Sequence, residues 1–441
     1  MSQHIFRTGK KGYGSSLQGF TLIELIVVMA VFIVVMMITG DAFKHILTQT
    51  LKLGRMEESN IEGVVGLEMM RHDLEQSGFA LPFAWHEDAD DDVTKRPVYK
   101  EALVDPANKL NDAPNSIPRA LAFQPYSTTE DETSAKYSGI PGAWYLAVKA
   151  MSLSRAEGAQ KWTYANYSAV TYGSKPPKIW PSGNFQSGDR VVVLRRTFSS
   201  DSYTNRLAYD TTDPSSYWTL YSTSGFVPAF APRNVNEIVY AYGLGQKNDS
   251  IGMPFNRADF FIGRPANSAR VPTSCAPHTG ILYKASVNQS NGKLNYMPLL
   301  DCVADMQVVL GWDLWDKNNK TDGQDGEIDI WSSPAENIAD PATVRITKLV
   351  DELSSDDARS KVVEALKDPA KLRTSLKMVK VYLLAQIGKS DSVYTSPDKF
   401  IVAGTGELAL GREYTLTDDM RHYRWKVYRI VARPKNLQLT Q

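Results

Sequence analysis

Cysteine is scarce in this chain of 441 residues, where Cys275 and Cys302 are the only two. Two cysteines this far apart provide no C-x-x-C pair, no haem-attachment motif and no cysteine–histidine spacing of a zinc site. The six histidines are scattered without an H-E-x-x-H pair, and no G-x-S-x-G sequence marks a nucleophile. We therefore expect neither an enzyme nor a protein that depends on a cofactor or a metal.

An excess of one charge sign is also missing, because 49 basic residues balance 49 acidic residues. A nucleic-acid-binding protein is expected to carry a basic footprint, so this balance argues against nucleic acid as a partner. Hydrophobic residues make up 43% and charged residues 22% of the chain, which is ordinary for globular proteins and argues against wholesale disorder. The length predicts roughly two or three domains.

A long apolar run lies near the amino terminus, at residues 20–38. It contains one charge, Glu24, and is long enough to cross about 30 Å of hydrocarbon as a helix. A cleaved secretory signal would need a shorter run followed by a small-x-small cleavage site, which the sequence lacks. A plain membrane anchor does not explain Glu24, because a carboxylate inside the span costs on the order of 2.5–3.5 kcal/mol.

The junction between Gly19 and Phe20, followed by Glu24, resembles the prepilin peptidase signature of type IV pilins and pseudopilins. Those families share a basic leader, a glycine, an aromatic residue and a glutamate at the fifth mature position. The resemblance implies that residues 1–19 are a leader cut off after Gly19, and that the new amine of Phe20 is methylated. Glu24 would then pair with the Phe20 amine of a neighbouring subunit, which offsets the desolvation of both charges and fixes their register.

Beyond the membrane segment, a helical pattern without proline continues to about Ser77, and Gly78 is suited to end it. The second half is amphipathic, which predicts that one apolar stripe lies against a globular domain. The stripe consists of Phe43, Ile46, Leu47, Leu53, Ile61, Val64 and Val65. The helix also contains glycines that weaken it, and we interpret them as close-packing points, with local bending at Gly40 as the alternative. These are Gly40, Gly54, Gly63 and Gly66.

After the helix, predicted at residues 20–78, a β-rich head occupies residues 79–441. Its candidate strands are 143–151, 189–197, 237–244, 280–288, 306–315, 378–387, 399–403 and 422–432. A short helix is expected at 357–367, capped by Ser354 and stopped by Pro369. The fold class is thus α+β: a long amino-terminal helix packed on an antiparallel sheet, with large loop insertions at about 82–188 and 316–375.

The membrane segment would place Cys275 and Cys302 in an oxidising compartment, where an isolated pair usually forms a disulfide. Two unrelated buried thiols are the alternative. The acidic segment 322–329 has a composition that suits calcium, but its spacing does not fit an EF-hand. We favour a solvated acidic turn there.

Residues 71–79, 299–309 and 427–434 resemble the minor pilins of the PilW family, although this chain is longer than an ordinary pilin-like protein. The resemblance implies a minor type IV pilin that helps to initiate or cap a pilus. Its partners would be major and minor pilins, the prepilin peptidase and the assembly platform. It would cross the inner membrane once, head outside the cytoplasm, before entering a cell-surface pilus. A type II secretion pseudopilin and a membrane-anchored extracytoplasmic binding module are the alternatives.

Overall fold

The computed structural model describes residues 21–85, 92–126, 137–154, 156–198, 203–213, 216–245, 250–265 and 271–437. The α-helices in these ranges are α1 (Leu22–Glu75), α2 (Ser355–Lys367) and α3 (Pro369–Ser375). The strands are β1 (Leu121–Pro125), β2 (Tyr137–Gly139), β3 (Trp144–Ala150), β4 (Trp162–Ser168), β5 (Gly173–Ser174), β6 (Arg190–Phe198), β7 (Tyr203–Leu207), β8 (Thr219–Leu220), β9 (Glu237–Gly245), β10 (Asn256–Pro265), β11 (Gly280–Val287), β12 (Leu294–Trp312), β13 (Trp315–Asp316), β14 (Thr321–Asp322), β15 (Ile330–Ser332), β16 (Ile346–Lys348), β17 (Leu376–Ile387), β18 (Lys399–Val402), β19 (Arg412–Thr415) and β20 (Arg424–Ala432).

The chain divides into two compact units between Glu57 and Glu58. The first unit contains the amino-terminal part of α1, in which residues 22–44 are long and apolar enough to cross a membrane. The second unit contains the rest of α1 and the whole head. The helix and the antiparallel head confirm the expected α+β class.

The head is built on a large antiparallel sheet in which β1, β3, β10, β11 and β12 are neighbours in that order. The long strand β12 changes neighbours along its length, since residues 294–303 pair with β11 and residues 303–312 pair with β17. β20 lies beyond β17. The main hydrophobic core joins this sheet to the last turns of α1 and to α2 and α3.

A smaller sheet has the order β5, β4, β9, β6 and β7, with β8 beside β6. One of its faces covers a separate core that includes Val191, Val193 and Val239, whereas Leu194 and Tyr242 belong to the main core. The loop-rich insertion expected at 82–188 contains all of β1 to β5 as well as loops. β4 shows only a weak alternation of apolar and polar residues in its sequence, because its outer face carries both aromatic and polar side chains.

All eight candidate strands are confirmed, with ends that differ by a few residues except in β12, which begins at Leu294 rather than at residue 306. The sequence analysis missed β10, although it is central in the large sheet. Its Arg257 and Asp259 are buried and bonded to each other, with Nε of Arg257 2.7 Å from Oδ1 of Asp259. Two charges two positions apart interrupt the apolar pattern by which a buried strand is recognised in a sequence.

The helix ends in the head follow local rules. α1 ends at Glu75, and Gly78 adopts a left-handed φ of 78°, as a residue that terminates a helix does. Ser354 caps α2, because its side chain accepts a hydrogen bond from the backbone N–H of Asp357 at 3.1 Å. α2 ends at Lys367, before Pro369, as expected from the sequence. The sequence did not predict α3, in which Pro369 occupies the first turn, where a proline is tolerated.

Buried ion pairs attach the segment that precedes β1 to the large sheet. Nζ of Lys149 on β3 lies 2.7 Å from Glu101 and 2.5 Å from Asp112, and Arg257 on β10 reaches the other oxygen of Glu101 at 2.7 Å. Burial by itself would raise the pKa of Asp112, but Lys149 and Arg119 hold it below its usual range. Since each charge has a partner, the network fixes one position of this long segment on the sheet.

Candidate functional site: the amino-terminal helix and its attachment to the head

The first turn of α1 is closed by Thr21 and Glu24. The carboxylate oxygen Oε2 of Glu24 accepts hydrogen bonds from the backbone N–H of Thr21 at 2.9 Å and from its hydroxyl at 3.0 Å. The backbone N–H of Glu24 lies 3.3 Å from the same hydroxyl. This reciprocal arrangement is a capping box, which satisfies amide groups that have no partner inside the helix. The intermolecular role expected for Glu24 does not include this local one, although the T-x-x-E spacing of Thr21 and Glu24 indicates it.

The apolar side chains that follow Glu24 are exposed, with no packing partner among the residues that the structure describes. In residues 22–38 the large hydrophobic side chains are 51–75% exposed, and none of the segment 22–44 is buried. Exposed apolar surface of this extent requires lipid or other apolar helices around it. Glu24 lies at the start of this exposed apolar surface.

In the second unit, α1 packs on the sheet through a face that contains two glycines. A methyl group at Gly66 would lie 2.8 Å from the carbonyl carbon of Leu299, and one at Gly63 would lie 2.8 Å from Cδ1 of Leu300. The expected role of these two glycines as close-packing points is therefore confirmed. The expected apolar stripe is wrong at Val64 and Val65, which are exposed.

The buried face of α1 follows helical spacing from Gly63 through Leu67, Met70 and Leu74. Residues three and four positions apart lie on one side of a helix, so this set forms a continuous face. Glycine has no apolar side chain, so a prediction based on apolar spacing places the adjacent valines, and not the two glycines, on the buried face. The absence of side chains at Gly63 and Gly66 is what permits the close approach to β12.

A buried ion pair accompanies this contact. Nζ of Lys284 on β11 lies 2.6 Å from Oδ2 of Asp73 on α1, and both side chains are buried. One turn further, the backbone N–H of Gly78 donates to the carbonyl of Lys149 on β3 at 2.9 Å. α1 is therefore fixed to β12, β11 and β3 in succession, and the ion pair specifies its register on them.

The sulfur atoms of Cys275 and Cys302 form a disulfide, with Cα atoms 5.0 Å apart across 27 positions of sequence. Cys302 follows Leu299 and Leu300 on β12, the residues that contact α1. The disulfide therefore ties the loop before β11 to the strand on which the helix packs.

The acidic segment 322–329 is occupied by cations and amide groups of the same chain. Asp329 accepts backbone hydrogen bonds from Leu314 and Trp315 at 3.0 and 2.9 Å. Nζ of Lys317 lies 2.9 Å from Glu327, and that of Lys361 lies 2.5 Å from Asp322. Across the part of the chain that the structure describes, no group of three histidine, cysteine or acidic side chains could hold a metal ion.

The proposed cleavage and methylation sites, Gly19 and Phe20, lie outside the described residues. The comparisons with known proteins bear on this segment. A family model described as the prokaryotic N-terminal methylation motif matches residues 16–40. No curated protein and no solved structure matches the chain.

The matched motif and the exposed apolar helix together support the class of type IV pilin-like and pseudopilin-like proteins, which are generally structural. Within it, the match supports a type IV prepilin-like protein. Such a protein is anchored in a membrane by its amino-terminal helix and interacts with other pilins and with the pilus machinery.

Proposed function

We propose that the protein is a minor type IV pilin, similar to the PilW family, that helps to initiate or cap a pilus from the inner membrane. The prepilin peptidase would remove residues 1–19, and the methylated Phe20 would begin the mature chain. The position of Glu24 carries this proposal, because a carboxylate at the start of an exposed apolar span needs a partner to offset its desolvation. The PilW-like segments at 299–309 and 427–434 favour a pilus subunit over a plain membrane anchor.

In assembly, Glu24 would contact the Phe20 amine of an adjacent subunit. The capping box supports this contact, since both hydrogen bonds from Thr21 end on Oε2. Among the described residues no hydrogen bond reaches Oε1 of Glu24, so that oxygen can accept a second donor while the helix cap stays intact. A neighbouring amine would add the positive charge that Thr21 does not supply.

Two substitutions separate the helix-capping role of Glu24 from its proposed intermolecular role. Glu24→Gln keeps a side-chain oxygen that can accept from Thr21, as glutamine does in capping boxes, but removes the charge. Thr21→Val removes the hydroxyl but keeps the carboxylate. If the charge pairs with a neighbouring amine, Glu24→Gln should be cleaved and inserted normally yet fail to enter pili, whereas Thr21→Val should assemble.

The measurement is pilus number and co-purification of other pilins in strains that carry only one variant, with the mass of the mature chain as the control for cleavage. Leaving the neighbouring amine unpaired costs about 3–5 kcal/mol where it is fully buried, and tenfold in binding needs only 1.4 kcal/mol. Equal loss in both variants would mean that Glu24 acts only as a cap. If the strain that carries Glu24→Gln makes normal pili but fails to secrete proteins, the chain belongs to a type II secretion system instead.

A further inference from the structure

A row of aromatic rings and guanidinium groups crosses the small sheet and reaches the loop after α1. We call it the aromatic–arginine ridge, and its members are Trp162, Tyr240, Arg196, Tyr203, Phe83 and Arg373. They come from β4, β9, β6, β7, the loop that follows α1, and α3. Residues from so many elements form one continuous surface only in the folded head.

Each member of the ridge contacts the next one. Tyr240 lies 6.5 Å from Trp162 between ring centroids, and the guanidinium of Arg196 lies 4.7 Å from the ring of Tyr240. The same guanidinium lies 4.3 Å from the ring of Tyr203. Continuing along the row, the rings of Tyr203 and Phe83 are 6.2 Å apart, and Arg373 lies 3.7 Å above Phe83. Both arginines therefore make cation–π contacts with rings of the ridge, which favour these positions of their guanidinium groups.

The ridge is partly exposed to solvent. Trp162 is 39% exposed, and the other members of the ridge are partly exposed. In the main core, by contrast, the stacked rings of Tyr145 and Phe261, 4.8 Å apart, are both buried. Tyr240 also packs against the main core, whereas the 39% exposed Trp162 leaves aromatic surface available to a partner.

Neither arginine of the ridge has a carboxylate partner among the described residues. Arg196 donates from Nε to the amide oxygen of Asn205 at 2.8 Å, and Nε of Arg373 is buried without a hydrogen-bond partner. Burial lowers the pKa of Arg373 to about 10, so it still carries its charge at neutral pH. Within the described residues, therefore, neither guanidinium group is ion-paired with a carboxylate, although the charge of Asp368 acts on Arg373 from a longer distance.

We propose that the aromatic–arginine ridge is a docking surface for a second pilin-like subunit that presents carboxylates to Arg196 and Arg373. This inference rests on the proposed function for its partner class. Tryptophan, tyrosine and arginine are the residues that dominate protein–protein binding energy, and the two unpaired cations complement acidic side chains. Single-stranded nucleic acid also stacks on such rings, but its affinity depends on neutralising many phosphates, and two cations on a chain of zero net charge provide little of that.

The test uses the full-length protein in detergent. It is mixed with purified subunits from the same cell that carry the same amino-terminal methylation motif, and bound subunit is measured by co-purification. Trp162→Ala and Arg196→Gln are the test variants. The controls are Tyr172→Asn, which alters an 83% exposed ring in a turn outside the ridge, and Arg429→Gln, which alters an exposed arginine on β20. Circular dichroism confirms that each variant is folded.

We expect each ridge variant to lower the affinity for one such subunit by about tenfold or more, and each control to leave it unchanged. Equal binding by ridge and control variants would overturn the docking surface while leaving the proposed function in place. If the unaltered protein binds no such subunit, the proposed function fails as well. Binding of a single-stranded oligothymidylate probe is measured as well. If the unaltered protein binds this probe and Trp162→Ala does not, the partner of the ridge is a nucleic acid and not a protein.

Discussion

Gly66 offers the sharpest test of how α1 is attached to the head. A methyl group at this position would overlap the carbonyl oxygen of Leu299 and would lie 2.8 Å from its carbonyl carbon and 3.0 Å from its Cα. All three atoms belong to the backbone of β12, which cannot rotate away as a side chain can. Gly66→Ala therefore has to move the helix off the sheet or bend the strand. The displacement would also disturb the neighbouring contacts of Leu67 and Met70, both buried in the main core.

The size of the effect follows from two opposing contributions. Alanine is about 1 kcal/mol more favourable than glycine inside a helix, which would stabilise the variant. Inserting a methyl group into a closely packed site costs about 1–3 kcal/mol, and more where backbone must move. We expect Gly66→Ala to lower the free energy of unfolding of the head by about 1–3 kcal/mol. Gly63→Ala is the matched control, since its methyl group meets only the end of the Leu300 side chain, and it should change stability by less than about 1 kcal/mol.

Urea unfolding of the full-length protein in detergent, followed by tryptophan fluorescence, gives both values. Protection of residues 58–75 from proteolysis reports separately on whether the helix stays docked. If Gly66→Ala is as stable as Gly63→Ala, the close approach of α1 to the backbone of β12 is wrong.

Three further results are expected. The mature protein should begin at Phe20 with one added methyl group, which intact mass decides; a chain that still carries its leader in cells with active peptidase would contradict cleavage after Gly19. Non-reducing peptide mass spectrometry should find Cys275 linked to Cys302, a bond that stabilises the head by roughly 3–4 kcal/mol, and two alkylatable thiols in protein from its native envelope would argue against it. Burial raises the pKa of Asp305 to about 6, so the folded protein retains a proton there that the unfolded chain has released, and stability should fall as pH rises from about 4 to about 6. Asp305→Asn should remove this decline of about 2–3 kcal/mol, as measured by unfolding at several pH values, and an unchanged pH profile would refute the assignment.

The features that the sequence predicted correctly are those whose signals are local. An apolar run long enough to cross a membrane can be recognised without any knowledge of the head, and so can a single acidic residue within it. Ser354 and Asp357 predict the start of α2 because a helix cap involves residues only three positions apart. The eight strands recognised in advance carry apolar side chains in patterns that arise from burial of one or both faces.

The tertiary structure decided the features that depend on what lies opposite a residue. The docking face of α1 passes through Gly63 and Gly66, where the determinant is an absent side chain and the nearby backbone of β12. β10 was not recognised because its buried charges, Arg257 and Asp259, are compensated by each other and by Glu101, which lies far away in sequence. Long-range contacts of this kind exist only in the folded chain, because they join residues that are close in space but distant in sequence.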